Sequence, residues 1–217
     1  MPGMQNLPIP EVKKLLDKLP VKYAALAAIG VACGCRISEI TSLRRFDLLD
    51  ADGKLRDELQ LYKFKTGKEK KPRGRPKKNS IFFRQWRQGI PGRKLPLPPV
   101  LRIYVLRQLK REAALGYDRP DDLVFRGIHN RPLSRFSAYR IFRQVLGVGF
   151  GTHWMRKTFA REMFVKFSKR REAIDALEQT RRALGHARLE TTIRYLGIRD
   201  AEVRDAQNEI FSEWKNG

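Results

Sequence analysis

Apolar residues near the start of the chain recur at helical spacing. Residues 10–16 show the amphipathic pattern of a short helix, with a proline in its first turn. Residues 21–32 are apolar on most faces, which predicts a helix buried in the core. Residues 36–44 carry apolar positions on one side only, which predicts a second helix that follows directly.

The period then changes from that of helices to that of strands. Residues 50–53, Asp-Ala-Asp-Gly, form a turn signal, and residues 59–64 alternate between apolar and polar positions. Residues 94–97 have the pattern of a last short strand. Together these segments predict a small antiparallel sheet.

The rest of the chain returns to helical spacing. Two prolines at positions 98 and 99 open a long helix that continues through Leu109. Further helices are predicted at residues 134–147, 153–167, 171–184, 189–196 and 200–215. The predicted fold class is therefore mostly α with a small antiparallel β-sheet (α+β).

Composition and charge point to a polyanionic partner. The chain has 217 residues, enough for one domain with its own core, and a formal net charge of +23 with a pI near 10.6. Residues 63–94 hold 13 Lys or Arg against a single acid, Glu69. A charge this large and this concentrated favours nucleic acid as the partner over a merely basic soluble protein.

The cysteines and the hydropathy pattern argue against several other classes. Cys33 and Cys35 have no second cysteine pair near them, and their spacing in a helix is poor geometry for a disulfide. We therefore expect buried free thiols and no metal site. The longest apolar run, residues 24–35, is too short to span a bilayer, and no signal peptide opens the chain. The expectation is no membrane partner and a cytoplasmic, nucleoid-associated location.

Five side chains carry chemistry that suits a phosphodiester. Arg36 lies in Gly-Cys-Arg-Ile-Ser-Glu, and His153 and Arg156 are three residues apart, the spacing of one helical face. His186 follows Leu-Gly and precedes Tyr195 by nine residues. Arginine forks match two phosphate oxygens, and such preorganised donors are usually the largest catalytic contribution. A phenol among cations can act as a nucleophile, with His153 as its proton acceptor.

Each of these residues alone has an ordinary structural interpretation, but the ordered set resembles the catalytic domain of the tyrosine recombinases, the phage-integrase family. The resemblance covers nearly the whole chain. It implies that Arg36 and Arg156 clamp the scissile phosphate and that His186 donates a hydrogen bond to a non-bridging oxygen. It also implies that Tyr195 is the nucleophile and that Lys65, in Lys-Thr-Gly after a predicted strand, protonates the leaving 5′-oxygen.

The reaction implied by the resemblance is a transesterification that leaves a 3′-phosphotyrosine and a free 5′-hydroxyl. Because bond energy is kept in the covalent link, neither a nucleotide cofactor nor a metal is expected. The sequence agrees, since it has no Walker loop and no carboxylate cluster of metal-binding character. Glu39, three residues after Arg36, is expected to buttress that arginine rather than to react.

Three features depart from the family pattern. Lys157 stands where members usually have a second histidine, and the chain begins almost at the catalytic domain, so no N-terminal core-binding domain is expected. A basic insertion at about residues 68–93 contains an AT-hook-like stretch, whose arginines suit a narrow A·T minor groove. The alternative is a basic loop that grips phosphates without sequence preference. The candidate DNA-binding residues of the stretch are Lys71, Arg73, Gly74, Arg75, Lys77 and Lys78.

These observations predict a catalytic domain over residues 1–198 and a C-terminal helical tail over residues 199–217. The expected partner is double-stranded DNA. The resemblance further implies a tetramer on DNA with exchange of tails between protomers, a monomer when free, and accessory DNA-bending proteins.

Two other functions stay open. A type IB topoisomerase or hairpin-forming resolvase uses the same kinds of side chain, although the Leu-Gly-His and Thr-Thr-x-x-Tyr sequences and the small size favour a recombinase. A DNA-binding regulator on a recombinase scaffold would use the basic surface without chemistry. The presence of Tyr195 together with both arginines argues against that interpretation.

Overall fold

The computed structural model describes residues 9–63, 90–147, 149–170 and 172–198. Two strands within these residues, β1 (Glu58–Lys63) and β2 (Ile90–Pro96), pair antiparallel. The described helices are α1 (Ile9–Lys18), α2 (Val21–Cys33), α3 (Ile37–Thr41), α4 (Arg45–Leu48), α5 (Pro99–Ala114), α6 (Arg135–Leu146), α7 (Trp154–Ser168), α8 (Ala173–Leu184) and α9 (Leu189–Leu196). The mostly helical architecture with a small antiparallel sheet confirms the predicted fold class.

Helix α2 lies at the centre of the main core. It is buried along most of its length and packs against α1, α5 and α7. A β-carbon at Gly30 would lie 2.7 Å from the sulfur of Met155, so α7 approaches the backbone of α2 closely. The helix ends at Gly34, whose left-handed conformation (φ 58, ψ 29) suits a residue without a β-carbon. The predicted burial of Cys33 and Cys35 is confirmed, and neither forms a disulfide.

The single helix predicted for residues 36–44 is wrong. Helix α3 stops at Thr41, the chain turns at Ser42, and the extended Arg44 forms a β-bridge with Leu123. The backbone N–H of Arg44 donates to Asp47 Oδ2 at 2.8 Å, which begins α4. The apolar pattern did not reveal this break because its positions remain buried whether or not the helix continues.

The sheet is a two-stranded ladder that packs beside α4 and α2. Leu59 pairs with Leu95 and Lys63 pairs with Ile90, and the register is irregular near Gln60. Strand β2 begins at residue 90 and not at 94, so residues 90–93, which the sequence placed in the insertion, lie in the strand. Pro91 and a following glycine interrupt the alternation there, and the pattern therefore did not predict a strand.

A smaller apolar cluster forms where α7, α8 and α9 meet. Its buried members are Phe159, Ala160 and Leu184, and Tyr195 is among the half-buried residues packed on it. This cluster lies beside the residues singled out for chemistry. The helix predicted at 200–215, the tail and most of the insertion lie outside the described residues. No helix in the described part of the chain is long and apolar enough to cross a membrane.

Candidate active site

Helix ends bring the predicted catalytic residues together. Arg36 stands immediately before α3, His153 immediately before α7, and His186 just beyond the end of α8, while Tyr195 lies near the end of α9. The remaining member, Arg156, is in the first turn of α7. These five residues come from separate parts of the sequence, and the contacts described below connect them into one site.

Arg156 is the buried centre of the site. Its side chain lies between two helix ends, and the residue is only 3% exposed. One guanidinium nitrogen, Nη1, donates to the carbonyl oxygen of Gly34, and Nη2 donates to that of Leu184 at 2.8 Å. Both carbonyls belong to the C-termini of helices, α2 and α8, where the helix dipole presents negative charge. The charge of a guanidinium carried on α7 is thereby stabilised by two neighbouring helices.

His186 contacts Arg156 through one ring nitrogen and α9 through the other. Its Nε2 lies 3.0 Å from Arg156 Nη2, and its Nδ1 lies 3.0 Å from the hydroxyl oxygen of Thr192. The main chain is fixed as well, because Arg181 Nη1 donates to the His186 carbonyl at 2.7 Å. The left-handed Gly185 ends α8 as predicted, which lets the chain turn so that His186 faces Arg156.

Tyr195 packs against both of these residues. Its ring centroid is 5.6 Å from that of His186 at an interplanar angle of 77°, and Arg156 Cζ lies 6.0 Å from the ring centroid. The hydroxyl oxygen is buried and lies outside normal hydrogen-bond geometry with the described residues, although the Arg156 guanidinium is close enough to interact with it. Burial raises the pKa of Tyr195, and the nearby charges of Arg156 and Arg36 oppose that rise. The described conformation thus holds a neutral phenol beside two cations.

His153 is a half-buried imidazole that is biased toward its neutral form. Burial lowers its pKa, and the positive charges of Arg135, Arg156, Lys157 and Arg36 lower it further. A neutral ring is the form that can accept a proton. His153 caps α7 with right-handed helical backbone angles (φ −91, ψ −12), and its carbonyl oxygen accepts the backbone N–H of Lys157 at 3.0 Å. The expectation that His153 and Arg156 address the same phosphate from one helical face stays a prediction.

Arg36 is more accessible than Arg156. Its side chain is 51% exposed, which leaves its guanidinium open to a ligand. Glu39 fixes it in two ways: one carboxylate oxygen accepts the backbone N–H of Arg36 at 2.6 Å, and the other lies 3.4 Å from Nη1. This geometry agrees with the expected buttressing. The charge of Arg36 also lowers the pKa values of His153 and Tyr195, so Arg36 lies within electrostatic reach of both.

Several predicted residues lie outside the described part of the chain. They are Lys65 of the Lys-Thr-Gly sequence and the AT-hook-like residues Lys71, Arg73, Gly74, Arg75, Lys77 and Lys78. Their roles stay predictions. Within the described ranges, no group of three or more His, Cys, Asp or Glu side chains is placed to hold a metal ion.

Sequence reasoning missed three residues that shape the site. Thr192 contacts the His186 ring, the Gly34 carbonyl holds Arg156, and Arg181 holds the loop around His186. Only Thr192 carried a usable signal, because it precedes Tyr195 by three residues and therefore shares its helical face. The other two contacts are made through backbone carbonyls, which no side-chain pattern reveals.

Comparison with known proteins identifies the fold. No family model and no curated protein matches the sequence. Among solved structures, the chain is similar to XerA recombinase, with a TM-score of 0.63 and 16% identity over 98% of this chain and 66% of that one. It is also similar to the Tn1549 transposon integrase in complex with circular intermediate DNA (TM-score 0.55, 16% identity, 90% of this chain and 61% of that one).

A third similar structure is a lambda integrase dimer bound to a COC′ core site, with a TM-score of 0.51 and 17% identity over 88% of this chain. The chain spans between about half and two thirds of the length of these three structures, 47% in the case of lambda integrase. The described residues therefore have the fold of a tyrosine recombinase catalytic domain.

Proposed function

We propose that this chain is a site-specific DNA recombinase or integrase, which cuts and rejoins DNA through a 3′-phosphotyrosyl intermediate. The observation that carries the proposal is the direct chain of contacts from Arg156 to His186 to Tyr195, with Arg36 in electrostatic reach, on a recombinase catalytic-domain fold. A buried, doubly anchored arginine beside an imidazole and a phenol is suited to bind and attack a phosphodiester.

In the proposed reaction, the phenolic oxygen of Tyr195 attacks the scissile phosphorus and the bond from phosphorus to the 5′-oxygen breaks. His153, whose pKa is lowered, accepts the phenol proton. Arg36 and Arg156 stabilise the charge that develops on the non-bridging oxygens, and His186 donates to one of them. Lys65 gives the leaving 5′-oxygen its proton. A second strand's 5′-hydroxyl then reverses the step and releases Tyr195.

The proposed substrate is double-stranded DNA. The formal net charge of +23 gives the chain a strong, salt-dependent attraction to a polyanion. The similar Tn1549 and lambda integrase structures contain DNA. We further propose a catalytic domain over residues 1–198, a tail over 199–217 that exchanges between protomers of a DNA-bound tetramer, and an AT-hook-like contact from the insertion.

The buried hydroxyl of Tyr195 adds a step before chemistry. An oxygen with no solvent access cannot contact a phosphate from its present place. We therefore propose that DNA binding moves the end of α9, which brings the phenol out of the apolar cluster and toward the arginines. The buried state protects the nucleophile until DNA is bound.

The deciding experiment is a test for covalent adducts. Nicked, radiolabelled duplexes tiled across the DNA that flanks the gene would be incubated with the protein in EDTA and analysed in SDS. We expect a retained protein–DNA band with the unchanged protein and with Tyr117→Phe, which removes a hydroxyl that belongs to none of the five site residues and keeps the ring beneath Arg126. Tyr195→Phe should give none. An adduct that survives in Tyr195→Phe would contradict the assigned nucleophile.

One observation favours a second candidate. The buried state of the Tyr195 hydroxyl also suits a DNA-binding regulator that never cuts. Salt-sensitive DNA binding without any adduct would support that function. Adducts that relax supercoiled DNA but never join two duplexes would instead support a topoisomerase-like or resolvase activity.

The insertion is tested separately. Deletion of residues 69–89, which leaves β2 intact, should weaken binding to A·T-rich duplexes more than binding to G·C-rich duplexes if the AT-hook-like stretch reads the minor groove. An equal loss on both would indicate phosphate contacts alone, and unchanged affinity would remove the insertion from the DNA-binding surface.

A further inference from the structure

Thr192 is a fully buried residue one helical turn before Tyr195. Its hydroxyl oxygen lies 3.0 Å from His186 Nδ1. The neighbouring residue on the same helix, Thr191, is exposed. The two threonines therefore differ in environment although they are adjacent in sequence, and only Thr192 faces the ring of His186.

The second contact of His186 determines which ring nitrogen carries the proton. A guanidinium can donate hydrogen bonds but cannot accept them. The 3.0 Å contact between Arg156 Nη2 and His186 Nε2 therefore requires an unprotonated Nε2 that accepts. In the neutral ring the proton must then be on Nδ1, and Thr192 Oγ1 accepts it.

We propose that Thr192 is a positioning residue for the DNA-cleavage reaction, a role that rests on the proposed function. By accepting a hydrogen bond from Nδ1, Thr192 holds His186 in the Nδ1–H tautomer and directs Nε2 toward Arg156 and the phosphate site. Without that acceptor the ring could protonate at Nε2, and the guanidinium and the ring N–H would then oppose each other as two donors.

The same contact prepares His186 for its role with DNA. When a phosphate oxygen comes between Arg156 and His186, Nε2 takes a proton from solvent and donates to that oxygen, while Nδ1–H stays on Thr192. The groups that face His186 during this change are Arg156 from α7, Arg181 from α8 and Tyr195 from α9. Both arginines oppose protonation, so the acceptor at Thr192 and the phosphate charge are what make it favourable.

The tautomer can be measured directly in the free protein. The chain has three histidines, His129, His153 and His186, so their side-chain nitrogens can be assigned by NMR with single substitutions of the other two. We expect His186 in the unchanged protein to show a protonated Nδ1 and an unprotonated Nε2 at neutral pH. A protonated Nε2 would overturn the proposal whether or not the protein cuts DNA.

Three variants distinguish a role of Thr192 in positioning His186 from a role in packing alone. Thr192→Val keeps the shape and removes the acceptor, Thr192→Ser restores a hydroxyl, and Thr191→Val is the matched control on the exposed side. In Thr192→Val we expect a mixed tautomer and adduct formation slowed by about 10–100-fold, by analogy with removal of the hydrogen-bond partner of a metal-binding histidine. The alkaline limb of its pH profile, where loss of the Nε2 proton of His186 ends activity, should move to lower pH, since the imidazolium has lost an acceptor.

Thr192→Ser should recover most of the rate and the tautomer, and Thr191→Val should change neither. An unchanged rate and pH profile in folded Thr192→Val would overturn the proposal. If the unchanged protein forms no adduct at all, the proposed function fails. The NMR result on the free protein still decides whether Thr192 determines the tautomer of the His186 ring.

Discussion

Arg156 Nη1 donates a hydrogen bond to the carbonyl oxygen of Gly34, a residue 122 positions earlier in the chain. This contact connects the end of α2, which precedes Arg36, with the first turn of α7. Gly34 can present its carbonyl there because it adopts a left-handed conformation that other residues rarely accept. A β-carbon at this position would also overlap the ring of Phe159.

Replacement of this glycine is therefore expected to disturb both stability and chemistry. Gly34→Ala should lower the free energy of unfolding by roughly 2–4 kcal/mol, from backbone strain together with overpacking. It should also reduce adduct formation, because the carbonyl that holds Arg156 is displaced. Denaturant unfolding and the adduct test measure the two effects.

Gly53→Ala is the matched control, since Gly53 also has a positive φ but nothing lies within 4 Å of an added β-carbon. It should cost about 1 kcal/mol, from strain alone, and leave cleavage unchanged. Equal destabilisation by the two substitutions would show that contact with Phe159 does not matter.

The two arginines should respond differently to the same substitution. Arg156→Lys removes the fork that reaches both Gly34 and Leu184, so we expect a loss of about 2–4 kcal/mol in the free energy of unfolding. Arg36→Lys changes a half-exposed side chain and should alter stability by less than about 0.5 kcal/mol. Both should slow adduct formation at least about 100-fold. If Arg156→Lys is as stable as the unchanged protein, the contacts of Arg156 with Gly34 and Leu184 do not stabilise the fold.

Removal of the Tyr195 hydroxyl should not destabilise the fold. The oxygen is buried outside normal hydrogen-bond geometry, with the Arg156 guanidinium near it, so Tyr195→Phe removes a poorly satisfied polar atom. We expect the free energy of unfolding to stay the same or to rise by up to about 1 kcal/mol, while adduct formation is abolished.

Tyr104→Phe is the matched comparison, because the Tyr104 hydroxyl donates to Asp17 at 2.7 Å. This variant should lose about 1 kcal/mol. A clear loss of stability in Tyr195→Phe would mean that its hydroxyl has a partner in solution.

Asp47 should make the protein less stable as the pH rises through the mildly acidic range. Burial raises the pKa of this carboxyl to about 6, although the Arg44 backbone N–H and the charges of Arg44 and Arg56 oppose the rise. The folded state therefore binds a proton more tightly than the unfolded chain does. The resulting stabilisation is complete below the unfolded pKa near 3.8 and is lost as the pH approaches 6.

Asp47→Asn should remove this dependence and increase the free energy of unfolding at pH 8 by about 1 kcal/mol. Thermal unfolding between pH 4 and pH 8 measures it, with Asp52→Asn in the exposed 50–53 turn as the control. The same pH dependence in Asp47→Asn and in the unchanged protein would contradict the assignment.

The helices of the fold could be predicted well because their apolar faces repeat over several turns. The predictions failed where a local interaction overrode the pattern, as at Arg44, whose β-bridge to Leu123 ends a run that looked helical. A contact between residues so far apart in sequence cannot be recognised from the local pattern of either segment. The prediction of where β2 starts failed for a related reason. Pro91 breaks the alternation of apolar and polar residues, although Ile90 pairs with Lys63.

The candidate site was predicted as a set of residue types but not as a geometry. Motif spacing singled out Arg36, His153, Arg156, His186 and Tyr195, and the structure brings these five together. Sequence spacing gave no indication that the Tyr195 hydroxyl is buried or that His186 accepts from Arg156. Those features depend on how α7, α8 and α9 pack, which is a property of three segments and not of one motif.

The close contact between Gly30 and Met155 bears on how the proposed DNA substrate fits the site. Because Met155 adjoins Arg156 and lies against the bare backbone of α2, the separation of the two helices contributes to the distance between Arg156 and Arg36. That distance has to suit the oxygens of a single phosphate group, whose dimensions are the same in every DNA molecule. Under the proposed function, one methyl group added at position 30 would thus disturb the fit to a phosphate without altering any residue proposed to contact DNA.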